Sequence, residues 1–185
     1  MLMTSSLNAR VFWGAALIVV ALDITTKLLV QRLMLPLQPR QIIGEVVRFT
    51  LVYNRGAAFS MSLGPQSRWI FGSFALIALV ILWRLYRQGP PRDSTRALAL
   101  GLAWGGAAGN LIDRIREERG VVDFIDIGVG SVRFWTFNVA DSAVTIGALL
   151  LAWVLWHEDR GKERARSAAG SGSIRSECSE ERTGT

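Results

Sequence analysis

The sequence predicts an all-α membrane protein, with four transmembrane helices and a small extracytoplasmic β-sheet. Three observations predict it. Half of the 185 residues are hydrophobic and mean hydropathy is +0.30, too apolar for a soluble domain of this size. The apolar residues gather into four runs of about 20 residues, the length that crosses a bilayer as a helix. Two of the intervening segments are rich in β-branched and aromatic residues, which favour strands.

The first run covers residues 11–30. It follows Arg10 as a secretory signal would, but it carries Asp23 and Lys27 and lacks a small-residue cleavage site, so it is read as a helix that stays in the membrane. The second run covers 69–86, the third 97–113 and the fourth 138–156. Trp13, Trp69, Trp83, Trp153 and Trp156 stand toward helix ends, where amphipathic rings favour the interface. Gln88-Gly89-Pro90-Pro91 breaks the chain between the second and third helices. Around it Arg84, Arg87, Arg92 and Arg96 face only Asp93, a short basic loop of the kind that stays in the cytoplasm. Arg160, Lys162, Arg164 and Arg166 place the segment after the fourth helix on the same side, with both termini inside. The bias is not uniform, because the segment 31–68 also holds several arginines against Glu45 alone.

The outer β segment is expected at about 42–60, where Val47, Phe49, Leu51 and Tyr53 alternate onto one face. Residues 129–135 make a second strand candidate. Residues 160–185 are mostly Ser, Gly, Arg and Glu and are expected to form a disordered cytoplasmic tail, leaving 1–159 as one domain. Gly101, Gly105 and Gly109 form a small-residue stripe with Ala97, matched by Ala143 and Gly147. Such stripes let helices approach closely, here the third and fourth.

Composition also narrows function. The net charge of +6 and pI near 10.6 fit a nucleic-acid binder only if the cations form a patch; they lie instead between and after apolar runs, so no nucleic-acid partner is expected. Cys178 is the only cysteine and His157 the only histidine, so no internal disulfide and no His/Cys metal site is expected, and no cofactor.

Topology then gathers the carboxylates. In a four-helix serpentine, the ends of helices one and three share a face with the beginnings of helices two and four. Asp23, Asp113, Asp123, Asp126 and Asp141 all fall toward that face, the outer one if the basic loop is inside. Each has a plain structural reading as well. Asp23 and Lys27 are four apart on a helix and can neutralise each other. Asp113 stands beside Arg114, and Asp126 lies in what reads as a solvated loop. Asp141 occupies a first helical turn, with Asn138 as a cap. Asp123 sits among Val121, Val122, Phe124 and Ile125, surroundings that favour a protonated acid. Two close carboxylates sharing one proton can activate a water and need no metal. Spacing alone leaves Asp113/Asp141 and Asp123/Asp141 both open, since Asn110-x-x-Asp113 and Asn138-x-x-Asp141 repeat one pattern.

Five segments in order resemble lipoprotein signal peptidases, the signal peptidase II or A8 family of aspartic peptidases. They are Asp23-Ile24-Thr25-Thr26-Lys27, Tyr53-Asn54-Arg55-Gly56-Ala57-Ala58-Phe59-Ser60, the glycine-rich stretch from Gly105 to Arg114 containing Asn110 and Asp113, Val121-Val122-Asp123-Phe124, and Phe137-Asn138-Val139-Ala140-Asp141-Ser142-Ala143. Arg55 is the odd residue, where a smaller or less charged one is expected. The resemblance implies an endopeptidase of the bacterial inner (cytoplasmic) membrane that removes signal peptides from prolipoproteins, cutting before an S-diacylglyceryl cysteine. It implies Asp123 and Asp141 as catalytic pair, with Asp23, Lys27, Asn54, Gly56, Asn110, Asp113, Arg114, Asn138 and Ala140 shaping the site or holding substrate. Membrane lipid is an implied partner, and globomycin-type cyclic peptides are implied inhibitors. Two rivals accompany this reading. A Ser/Lys peptidase would pair Lys27 with Ser60 or Ser142, but Asp23 one turn away opposes a neutral lysine. A small transporter or channel subunit would use Asp23, Lys27, Asp113 and Asp141 as an ion path, but no inverted repeat is visible.

Overall fold

The computed structural model describes residues 6–56 and 64–180. Four long helices and one small sheet alternate along the chain: α1 (Ser6–Leu33), β1 (Arg40–Ile43), β2 (Val47–Asn54), α2 (Ser67–Gln88), α3 (Ser94–Arg116), β3 (Val121–Val129), β4 (Val132–Arg133) and α4 (Val139–Glu180). Ala57, Ala58, Phe59 and Ser60 of the second motif lie outside the described residues.

Three helical stretches are long and apolar enough to cross a membrane: Leu7–Leu33, Ser67–Gln88 and Val139–Gly161. The chain is therefore a multi-pass membrane protein. α3 is not among the three, because glycines, Thr95, Asn110 and terminal charges dilute its apolar content. It occupies the middle of the bundle instead, packed against α1, α2 and α4. Ala99, Leu100, Gly101, Gly105, Gly106 and Gly109 are among its buried residues. α2 is the opposite case. It buries only Ser67, Leu79 and Tyr86 and exposes Phe74, Ile77, Val80 and Ile81, as a lipid-facing helix does.

Small residues set the helix distances, but the stripe on α3 serves a different pair from the one expected. The Gly101–Gly105–Gly109 stripe faces α1: a Cβ on Gly105 would lie 2.7 Å from the Ala16 carbonyl oxygen, and one on Gly109 2.6 Å from Asp23 Oδ2. The seam between α3 and α4 uses Gly106 of α3 and, as expected, Gly147 of α4. Gly106 lies against the Ala140 carbonyl, and a Cβ on Gly147 would lie 2.6 Å from the Ala99 carbonyl oxygen. Residues 105 and 106 are 100° apart on a helix, so adjacent glycines serve two neighbours. Gly106→Ala forces a methyl into the backbone at the first turn of α4 and should cost about 1–3 kcal/mol. Gly14→Ala in α1 meets nothing within 4 Å and should gain up to about 1 kcal/mol. Thermal unfolding in detergent checks both; a Gly106→Ala protein as stable as wild type would mean that the seam is loose.

The sheet is antiparallel throughout, in the order β1-β2-β3-β4. Leu51, Val122 and Phe124 pack with Val30 and Met34 at the end of α1, and Phe49 and Tyr53 join the same cluster. This is the face expected for β2. β3 differs from expectation. In place of one strand at 129–135, the chain pairs from Val121 to Val129 and only Val132–Arg133 returns as β4. Gly120, at φ +126°, makes the entry: a Cβ there would lie 2.5 Å from the Asn54 carbonyl oxygen. Further along, the N–H groups of Phe124 and Ile125 both donate to the Phe137 carbonyl, at 3.0 and 2.8 Å. Two residues opposite one define a β-bulge, which breaks the strand's alternation. Asp123 and Asp126, three residues apart, consequently line the same cavity.

At the other end of the bundle Asp93 caps α3 by accepting from the Arg96 N–H at 2.9 Å, and Arg96 reaches Glu158 of α4 at 2.6 Å. Residues 160–180, expected to be disordered, continue α4 as helix. A helix already nucleated adds Ala, Glu, Arg and Lys at little cost, which outweighs the scattered Ser and Gly.

Candidate active site

The first turn of α4 is built by the site residues themselves. Asn138 is the cap: its Oδ1 accepts from the Asp141 N–H at 2.9 Å, and Asp141 Oδ2 accepts from the Asn138 N–H at 3.1 Å. This reciprocal pair is a capping box, with the aspartate at the third helical position. The Ala140 N–H between them donates to Asp23 Oδ1 at 3.0 Å, so α1 supplies a further cap. The side chain of Asp141 is thus fixed by the same bonds that start its helix.

Three asparagine amides address the two carboxylates. Asn138 Nδ2 donates to Asp123 Oδ1 at 2.7 Å, and Asn54 Nδ2 to Asp123 Oδ2 at 3.0 Å. Asn110 Nδ2 donates to Asp141 Oδ1 at 2.7 Å. An amide can face either way, but each of these oxygens is already claimed by a donor. Asn54 Oδ1 accepts from the Gly56 N–H at 3.0 Å, Asn138 Oδ1 from the Asp141 N–H, and Asn110 Oδ1 from Lys27 Nζ at 3.1 Å. The NH₂ groups therefore have to point at the carboxylates.

Behind this layer lies a buried ion cluster. Lys27 Nζ contacts Asp23 Oδ2 at 2.6 Å and Asp113 Oδ2 at 2.8 Å, and all three side chains are nearly inaccessible. Asp113 also accepts from the Val122 N–H at 3.1 Å, which ties the end of α3 to β3. It does not pair with Arg114. That residue donates to the Asn110 carbonyl at 2.9 Å and to the Gly56 carbonyl at 3.3 Å, holding the corner after β2. Arg68 of α2 in turn donates to the carbonyls of Arg114 and Ile115.

Asp123 and Asp141 share the wall of a cavity of about 870 Å³, together with Asn54, Gly56, Asn110 and Arg114. Its remaining wall is largely apolar, with Val52, Phe134, Trp135, Phe137, Val144 and Ile146. Asp113, Lys27 and Asp23 are not part of that lining. Burial, followed by the negative charge of Asp141, pushes the Asp123 carboxyl up to about 7, against the pull of its asparagine donors. Ser142 donates to the Asn138 carbonyl at 3.0 Å, far from any pairing with Lys27, whose polar contacts are Asp23, Asp113 and Asn110. Among the described residues no group of three or more His, Cys, Asp or Glu side chains is arranged to hold a metal ion.

One site residue was misread from sequence. Asp126, expected in a solvated loop, is buried on β3 and bonded to Arg48, Thr50 and Arg133. Burial alone would raise it; the bonds from Arg133 and Thr50 outweigh that and hold it below the usual carboxylate range. Arg133 was not singled out at all. The signal available was Val121-Val122-Asp123-Phe124-Ile125-Asp126-Ile127, a β-branched run between Gly120 and the turn at Gly130-Ser131.

The chain as a whole is similar to known proteins. The family described as signal peptidase (SPase) II, peptidase A8, matches residues 15–157. The lipoprotein signal peptidase of Mycolicibacterium smegmatis is 43% identical over 149 residues, covering 77% of this chain and 59% of that protein. The chain thus spans under two thirds of that relative's length. The lipoprotein signal peptidase of Hydrogenovibrio crunogenus is 38% identical over 159 residues, covering 84% of this chain and 91% of that protein. A solved structure described as a bacterial membrane enzyme superposes with a TM-score of 0.73 at 31% identity, over 80% of this chain and 88% of that one. By the extent of these matches the chain belongs to the signal peptidase II family, peptidase family A8.

Proposed function

We propose that this chain is an intramembrane aspartic endopeptidase that removes the signal peptides of diacylglyceryl-modified bacterial prolipoproteins, with Asp123 and Asp141 as its dyad. The observation that carries the reading is Asn138, which donates to both carboxylates, its side-chain amide to Asp123 and its backbone N–H to Asp141, where the two line one cavity. Asp141 takes a proton from water as its oxygen attacks the scissile carbonyl. Asp123 donates to the carbonyl oxygen; the C–N bond then breaks as Asp141 passes its proton to the lipidated cysteine's amine and Asp123 takes one back from the gem-diol. Val144 and Ile146 of α4 line the cavity and are also exposed, which gives acyl chains and the signal helix a route in from the bilayer. The extended part of the substrate lies along the small sheet.

In this reading α3 is the fourth span, shielded from lipid by its neighbours. The sheet and the dyad lie at the outer face of the inner membrane, and the basic loop and both termini face the cytoplasm. Globomycin-type peptides compete for the cavity.

Cleavage of a diacylglyceryl-modified prolipoprotein peptide, compared with its unmodified twin, tests the proposal. The modified peptide should be cut at the lipidated cysteine and the twin not. The pH profile adds a second check. Asp123 is raised, so it keeps its proton below about 7 and loses it above. kcat/KM should therefore fall on the alkaline side with an apparent pKa of about 7, a value that belongs to the coupled pair. An alkaline limb two units higher, or equal cutting of both peptides, would contradict the mechanism.

A further inference from the structure

The sheet end of the cavity carries charge that the dyad does not use. Asp126 Oδ2 accepts from Arg48 Nε at 3.2 Å and Thr50 Oγ1 at 3.1 Å, while Oδ1 accepts from Arg133 Nε at 2.5 Å. Arg133 also donates to the Glu45 carbonyl at 3.1 Å and to the Asp126 carbonyl at 3.1 Å. Those bonds use three of its five N–H groups and leave two for a ligand. Two guanidiniums thus meet one carboxylate, so the cluster carries one net positive charge. Asp126 and Arg133 both line the cavity.

The position of the cluster says what it meets. Asp126 lies three residues beyond Asp123 on β3, about 10 Å along an extended strand. A substrate extended along β3 with its scissile bond at the dyad brings its third residue to that point. The lipid-facing wall of the cavity, Val144 and Ile146, belongs to α4, whereas Arg133 lies on the β3–β4 hairpin. The signal peptide occupies the membrane side, which leaves the hairpin side to the mature segment.

We propose that Arg133, whose charge Asp126 balances only in part because Arg48 shares that carboxylate, forms a subsite that favours an acidic residue about three positions downstream of the scissile bond. This rests on the peptidase reading above. Three diacylglyceryl-modified peptides with Glu, Gln or Lys at that position test it, with the enzyme in discs of neutral phosphatidylcholine. kcat/KM should be about fivefold higher for the Glu than for the Lys peptide, through KM, and the ratio should shrink at high salt. Asp126→Asn raises the net charge by one and should widen the ratio. Arg133→Gln removes the excess and should bring it close to one. Opposite movements from neighbouring substitutions do not follow from a damaged fold. Should Arg133→Gln not fold, Arg48→Gln carries the same expectation. Equal cleavage of all three peptides by wild type overturns the subsite and leaves the peptidase standing; cleavage of none overturns both. Rates that follow added phosphatidylglycerol rather than peptide charge would assign the cluster to lipid headgroups and overturn the proposal.

Discussion

Asp123→Asn and Asp141→Asn should each lower kcat for prolipoprotein cleavage by about 10²–10⁴-fold, with the protein still folded in detergent. The substitutions keep side-chain size, so the cavity and the α4 cap have little reason to collapse. What is lost differs between them. Asparagine at 141 cannot take the proton of water, although its Oδ1 can still accept a bond from the Asn138 N–H or from the Asn110 amide. At 123 an amide has no acid proton to give, and its NH₂ is turned toward either the Asn54 or the Asn138 donor. Asp113→Asn is the discriminating comparison. Asp113 repeats the spacing of Asp141, but it faces Lys27 and Val122 and stays outside the cavity lining. Its variant should keep more activity than the other two and show its effect in stability. Single-turnover cleavage by purified protein measures all three; a rate near wild type in either dyad variant would remove the assignment.

Lys27→Met should be the most destabilising single change in the buried site, by about 3–5 kcal/mol. The substitution keeps length and loses the charge that Asp23 and Asp113 share. Two carboxylates then remain buried beside each other with no cation between them. Lys27 also holds the Asn110 amide with its oxygen inward. Without it the Asn110 oxygen keeps only the Asn138 amide as donor, at 3.1 Å, so the NH₂ that faces Asp141 is held less firmly and activity should fall beyond what unfolding explains. Because two carboxylates meet one lysine, Asp113→Asn added to Lys27→Met should recover part of the loss. Unfolding of the two single variants and the double variant in detergent gives the coupling. Stability equal to wild type in Lys27→Met would show that the cluster is not charged as drawn.

Much of this was legible in the sequence, for identifiable reasons. The apolar runs gave helix positions because a bilayer demands length, and β2 announced itself by alternation. The clustering of carboxylates followed from chain direction alone. The choice of Asp123 over Asp113 did not, since both stand near the end of α3 and only the side-chain network separates them; the resemblance supplied it. Asp126 was lost because the strand was expected only from residue 129, and even within a strand a period-two pattern would have turned it away from Asp123. The partners of the glycines were lost for a similar reason. A four-residue stripe says that some helix comes close, not which, and here α1 took the stripe while α4 took Gly106.

The cap of α4 has one more consequence, for drug resistance. A compound that places a hydroxyl between Asp123 and Asp141 meets groups held by the first turn of a helix, and so little ordering is needed on binding. The same bonds limit escape. A variant that shifts Asp141 to evade such a compound must also unwind that turn and release the Ala140 N–H from Asp23. Escape is therefore expected from the apolar wall, at positions such as Val52, Val144 or Ile146, where bulk can change without touching the helix start.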